Sequence, residues 1–171
     1  MKLMQPSNKV TQLCYMSLSK SGLSKTDFVG ILSEAIIKNA KMSVSGFLIC
    51  ARNHFYQVLE GPQDAVESIF ESINNDKRHN NLRVLCQKQI NSRSCFSCPM
   101  DGFFIENDKG NNGWIVSTIE AVSSLIGTEL QADDIKDNLR TDVLAAYNNL
   151  LFRTAELCYL SAGPWVASEL N

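Results

Sequence analysis

No apolar run in this chain approaches the roughly 18 residues needed to cross a membrane, and neither sign of charge dominates. Sixteen Lys and Arg stand against 18 Asp and Glu, for a net charge of −2. Without a basic patch, neither a nucleic acid nor an anionic membrane surface is expected as a partner. The opening MKLMQPSNK lacks the apolar core of a secretion signal. The expected compartment is the cytoplasm, where the six cysteines should be thiols rather than a disulfide framework.

Catalytic apparatus is also scarce. There are two histidines, His54 in an expected hairpin loop and His79 in a polar link. Neither stands beside a cysteine or serine in a nucleophile-like setting, and both are expected to be solvated loop residues. Cys95-Phe96-Ser97-Cys98 is a CxxC, but a zinc site needs a second pair, and Cys14, Cys50 and Cys86 are lone strand residues. A redox CxxC opens a helix, whereas this one leads into a strand. Two ordinary thiols are expected there. GxGxxG and P-loop motifs are missing, and Gly110-Asn111-Asn112-Gly113 is too short and polar to replace them. No internal repeat or low-complexity run appears. The chain is not expected to be an enzyme.

What is present is a folded domain with one conspicuous amide. A length of 171 residues with 44% apolar residues fits one globular domain, or about 100 residues with an appendage. Phe55 to Gly61, FYQVLEG, reads as a strand stopped by Gly61-Pro62. Gln57 shares its face with Phe55 and Leu59, an amide in an apolar row. Buried without partners it would cost about 1–3 kcal/mol.

The remaining elements follow from periodicity. Strands are expected at Val10–Ser17, Val44–Cys50, Leu82–Ile90 and Pro99–Ile105. Ala51 to His54 is the hairpin loop before the FYQVLEG strand. Ser24 caps a helix with Asp27 three residues on; Phe28, Ile31, Leu32, Ala35 and Ile36 form its buried stripe, and it should end near Asn39. Pro62 starts a second helix, striped by Val66, Ile69, Phe70 and Ile73. Asn74 to Asn81 is a polar connection. The order βαββαββ is that of an α+β, ferredoxin-like sandwich, one sheet with two helices on one face. Two C-terminal helices are expected at 115–126 and 139–157, covering the bare sheet face or another chain. Trp165 is an anchor candidate in a loose tail. The domains expected are 10–106 and a helical extension, 107–171.

Five stretches within residues 11–105 carry a family resemblance. They are LCYMS at 13–17, Asn39 followed by VSGFL at 44–48, FYQVLEG at 55–61, NNDKRH at 74–79, and Arg93 with Met100 seven positions later. Together they resemble the BLUF family, blue-light sensors that use FAD. The resemblance implies non-covalent FAD and roles for particular residues. Tyr15 would donate an electron and a proton, and Gln57 would lie between it and the flavin. Met100 would sense the glutamine. Asn39 would hold the polar edge of the isoalloxazine, and Ile31 and Ile73 would sandwich the ring. Arg78 and His79 fall near the ribityl and phosphate part. Lys38 stands where some members make a second polar contact to the flavin, and would either meet the cofactor's phosphates or face water. Many members carry tryptophan two residues before the methionine; here that position is Cys98. The implied output runs from Met100 to the C-terminal helices, and thence to self-association or a separate regulator. The alternatives are a flavin-free interaction module and, more weakly, a Cys95/Cys98 thiol redox enzyme.

Overall fold

In the computed structural model residues 9–20, 22–94 and 98–105, with Gly113 and Ser117, are described. Apart from Ser117, the expected helices at 115–126 and 139–157 lie outside these residues, as do the tail with Trp165 and Cys95.

The elements run β1 (Val10–Ser19), α1 (Lys25–Lys41), β2 (Ser45–Ala51), β3 (His54–Gly61), α2 (Gln63–Asn74), β4 (His79–Ile90) and β5 (Asp101–Ile105). The order and type match the expected βαββαββ. Ser24 closes a full capping box with Asp27, each satisfying a backbone N–H of the other. Pro62 caps α2 without a side-chain bond. Its missing N–H costs nothing there, because first-turn N–H groups have no helical partner.

The boundaries differ where pairing overrides local pattern. The hairpin loop shrinks to Arg52-Asn53, because Ala51 pairs with His54. Arg52 takes a positive φ of 53° to turn the chain. His54 is therefore the first residue of β3 and half-buried, not a solvated loop residue. β4 begins at His79 rather than Leu82, because His79 pairs with Ser19. β1 is two residues longer than expected for the same reason. β5 begins at Asp101, leaving Pro99 and Met100 ahead of the strand.

The sheet order is β4-β1-β3-β2-β5. The first four strands are antiparallel neighbours, and β5 adds parallel to β2. One face packs beneath the helices through Leu13, Tyr15, Leu48, Phe55 and Leu59, against Phe28, Ile31, Val66 and Ile69. Cys14 and Cys86 are cross-strand partners rather than isolated strand cysteines.

Because β4 and β5 lie at opposite edges, their connection crosses one end of the sheet. Arg93 fastens it there. Its guanidinium donates to Ser45 Oγ (2.8 Å), to the Ser43 carbonyl (2.6 Å) and to the Glu60 carbonyl. Gln12 Nε2 adds a bond to Ser94 Oγ (3.1 Å). Gly46 lets the strands close up at this end, since a Cβ there would meet the Val58 carbonyl oxygen at 2.1 Å and the Met100 methyl at 3.3 Å.

Candidate functional site

Tyr15 and Gln57 stand opposite each other on β1 and β3. Period-two alternation turns both side chains to the helix-covered face. The Tyr15 hydroxyl donates to Gln57 Oε1. Gln57 Nε2 in turn donates to Met100 Sδ at 3.7 Å. Tyr15, Gln57 and Met100 are all buried, with exposures of 0%, 3% and 0%. The amide thus bridges a phenol and a thioether.

The phenol is held neutral. Burial drives its pKa well above the usual range, and the nearby Cys14 and Asp76 push the same way. The proton is therefore in place on the oxygen that faces Gln57. Phe70 packs edge-on to the Tyr15 ring, with centroids 5.5 Å apart.

Above Gln57 the two helices border a cleft that is partly open to solvent. Ile31 and Ala35 of α1 face Ile69 and Ile73 of α2, with Leu48 and Gln57 as the floor. Lys38, Asn39, Arg78 and His79 also border the cleft. Apolar walls with amides along one edge suit a flat ring with a polar rim. A flavin has that form, so the residues present fit the group. Tyr15 and Met100 flank Gln57 below the floor instead of lining the cleft.

Asn39 is 1% exposed. Its Nδ2 donates to the Pro99 carbonyl at 2.9 Å, so part of its amide is committed to the chain itself. Its oxygen and second N–H remain for other partners.

Arg78 is gripped by two carboxylates, Asp76 from the α2–β4 turn and Glu34 from α1. Their hydrogen bonds raise its pKa further. Burial pushes Asp76 upward, but the bonds from Arg78 outweigh it and hold the carboxyl below its ordinary value. Arg78 is thereby oriented across the space between α1 and the turn.

His79 is not the solvated residue that its polar surroundings suggest. Its Nδ1 lies 3.0 Å from Ser17 Oγ, and its ring lies 4.7 Å from that of Phe55, tilted by 39°. Burial lowers its pKa, Arg78 lowers it further, and Asp76 opposes them.

Cys98 Sγ lies 3.5 Å from the Met100 carbonyl, and burial with Asp101 nearby raises its pKa. Cys14, Cys50, Cys86 and Cys98 are free thiols. Among the described residues no group of His, Cys, Asp and Glu is arranged to hold a metal. No helix among them is long and apolar enough to cross a membrane.

Glu34 and Asp76 were not apparent as site residues from sequence. Asp76, two residues before Arg78 in a turn, carried a local signal of its bond to the Arg78 N–H at 2.9 Å. Glu34, 44 positions away, carried none.

Residues 10–101, just over half of the chain, match the family model of BLUF, sensors of blue-light using FAD. Photoactivated adenylate cyclase subunit beta of Euglena longa is 32% identical over 85 residues, covering 50% of this chain and 10% of that protein. The blue light- and temperature-regulated antirepressor BluF of Escherichia coli (strain K12) is 33% identical over 78 residues, covering 45% and 19%. The chain thus spans only a tenth to a fifth of these curated relatives. The structure of BlsA in its photo-activated state aligns with a TM-score of 0.57 at 29% identity, covering 83% of this chain and 94% of that one. With its five-stranded sheet, its helix-walled cleft and its buried phenol–amide pair, the chain belongs to the BLUF family of blue-light sensors that use FAD.

Proposed function

We propose that this chain binds FAD non-covalently in the cleft between α1 and α2 and reports blue light through Gln57. The observation that carries this is the buried sequence of bonds from Tyr15 through Gln57 to Met100. Ile31 and Ile73 would flank the ring, Asn39 and Gln57 would meet its polar edge, and Lys38, Arg78 and His79 would face the ribityl and phosphate end. When bound and excited, the flavin supplies a strong oxidant. Tyr15 is a suitable donor, because its proton already points at an acceptor. Gln57 has both acceptor oxygen and donor hydrogens, so it can pass a proton along and return it. If the amide rotates or tautomerises in doing so, its bonds to Tyr15 and Met100 are exchanged.

Exchange of one or two hydrogen bonds supplies about 1–3 kcal/mol. That biases an equilibrium roughly 5–150-fold, enough to shift a strand or a docking contact but not to refold a domain. The signal would leave by way of Met100 and β5, through self-association or contact with a separate regulatory protein. The cyclase relatives show that such modules also occur within longer enzymes.

The test is the absorption spectrum before and after blue light. Wild type should be yellow as isolated and shift slightly to the red. Tyr15→Phe and Gln57→Leu should retain flavin and lose the shift. A normal shift in Gln57→Leu would refute the mechanism, and a colourless protein that takes up no FAD would favour an interaction module. A photocycle that survives Cys98→Ser separates the sensor from a thiol enzyme.

A further inference from the structure

Two buried amides hold two consecutive residues at the entry to β5. Gln57 donates to the Met100 sulfur, and Asn39 donates to the Pro99 carbonyl. Pro99 and Met100 precede the strand, whose pairing with β2 begins at Asp101. Proline has no N–H, so the carbonyl is the only main-chain group through which Pro99 can be held by a hydrogen bond.

Asn39 is well fixed for this task. Its own carbonyl accepts the Met42 and Val44 N–H groups, at 3.1 and 2.9 Å, where α1 ends and the chain turns into β2. Its side chain is buried and borders the same cleft as Gln57. One amide therefore touches both the cleft and the strand entry, by a route that bypasses Gln57.

We propose that Asn39 is a second output contact, a positioning residue that passes changes at the ring edge to the Pro99–Met100 segment. This rests on flavin occupying the cleft as proposed above. A polar ring edge that draws more or less on the Asn39 amide alters the bond it makes to Pro99, since the two partners polarise one another through a single group. Gln57 moves the Met100 side chain, and Asn39 tensions the peptide beside it.

The full chain, labelled with 1-¹³C-proline and loaded with FAD, tests this by light-minus-dark infrared spectroscopy. A label-sensitive carbonyl band pair is expected in wild type. It should vanish in Pro99→Ala, which carries no label there, and fall by at least about half in Asn39→Ala. In flavin-free protein the same label reads the bond directly, and the Pro99 carbonyl should move to higher frequency in Asn39→Ala. Its frequency staying unchanged overturns the proposal, even if that variant fails to hold flavin. So does a wild type whose visible spectrum shifts without a proline band, or a band that persists in Pro99→Ala. If wild type shows no visible shift, the photosensor reading fails with it, and the flavin-free frequency still reports whether the Asn39 bond exists.

Discussion

His79 combines a ring that titrates near neutrality with an enclosed position. Burial against Phe55 and Ser17 favours the neutral imidazole, so its folded pKa lies below the ordinary 6.5. Of the charged groups near it, Arg78 acts in the same direction and Asp76 against it. As pH falls through about 6.5 the unfolded chain takes up a proton that the folded chain refuses, so stability falls with pH in this window. The loss levels off once the folded pKa is passed. Melting temperature should drop between about pH 7.5 and 5.5, and His79→Gln, which keeps a polar partner for Ser17, should flatten that drop. Equal pH slopes in the two proteins would assign the effect elsewhere. Gln57 was legible from sequence because strand alternation puts an amide in an otherwise apolar row, whereas Tyr15 stood out only through the resemblance to the BLUF family. The surroundings of His79 were not, because HNN reads as polar linker until Ser19 pairs with it.

Among the elements, β5 depends most on a distant fastening. It has five residues and is reached by a connection that crosses the sheet end. Arg93 closes that crossing against β2 and β3. Removing its guanidinium takes away the bonds to Ser45 Oγ and to the Ser43 and Glu60 carbonyls, at a cost of about 1–3 kcal/mol. Arg93→Ala should lower the urea midpoint accordingly and speed amide exchange at 101–105. The Tyr15–Gln57 bond, made by β1 and β3, should survive, so the visible shift should persist while exchange in β5 becomes insensitive to light. Exchange at 101–105 equal to wild type would deny Arg93 this role. The helices and central strands could be read from periodicity and from the Ser24–Asp27 box. The place of β5 could not, because nothing local shows that a strand following β4 joins the opposite edge. Nor do the contacts of Arg93 leave a local trace, since they span 33 to 50 residues.

For the molecule as a whole, a bias of a few kcal/mol suits a contact that is already nearly balanced. Light scattering with FAD bound should show a mass that differs between dark and blue light, alone or with a candidate regulator. An unchanged mass in every case would exclude assembly as the output. The pairing of β1 bears on how such a sensor tolerates sequence change. Its register with β3 runs unbroken from Thr11 to Leu18, whereas its register with β4 slips between Cys14 and Tyr15 and again between Met16 and Leu18. The outer strand thus has slack at the level of Tyr15, and the inner one has none. Lineages can lengthen or trim β4 and absorb the error at those kinks. One residue gained or lost in β1 or β3 would turn the phenol or the carboxamide to the opposite side of the sheet and leave the protein blind.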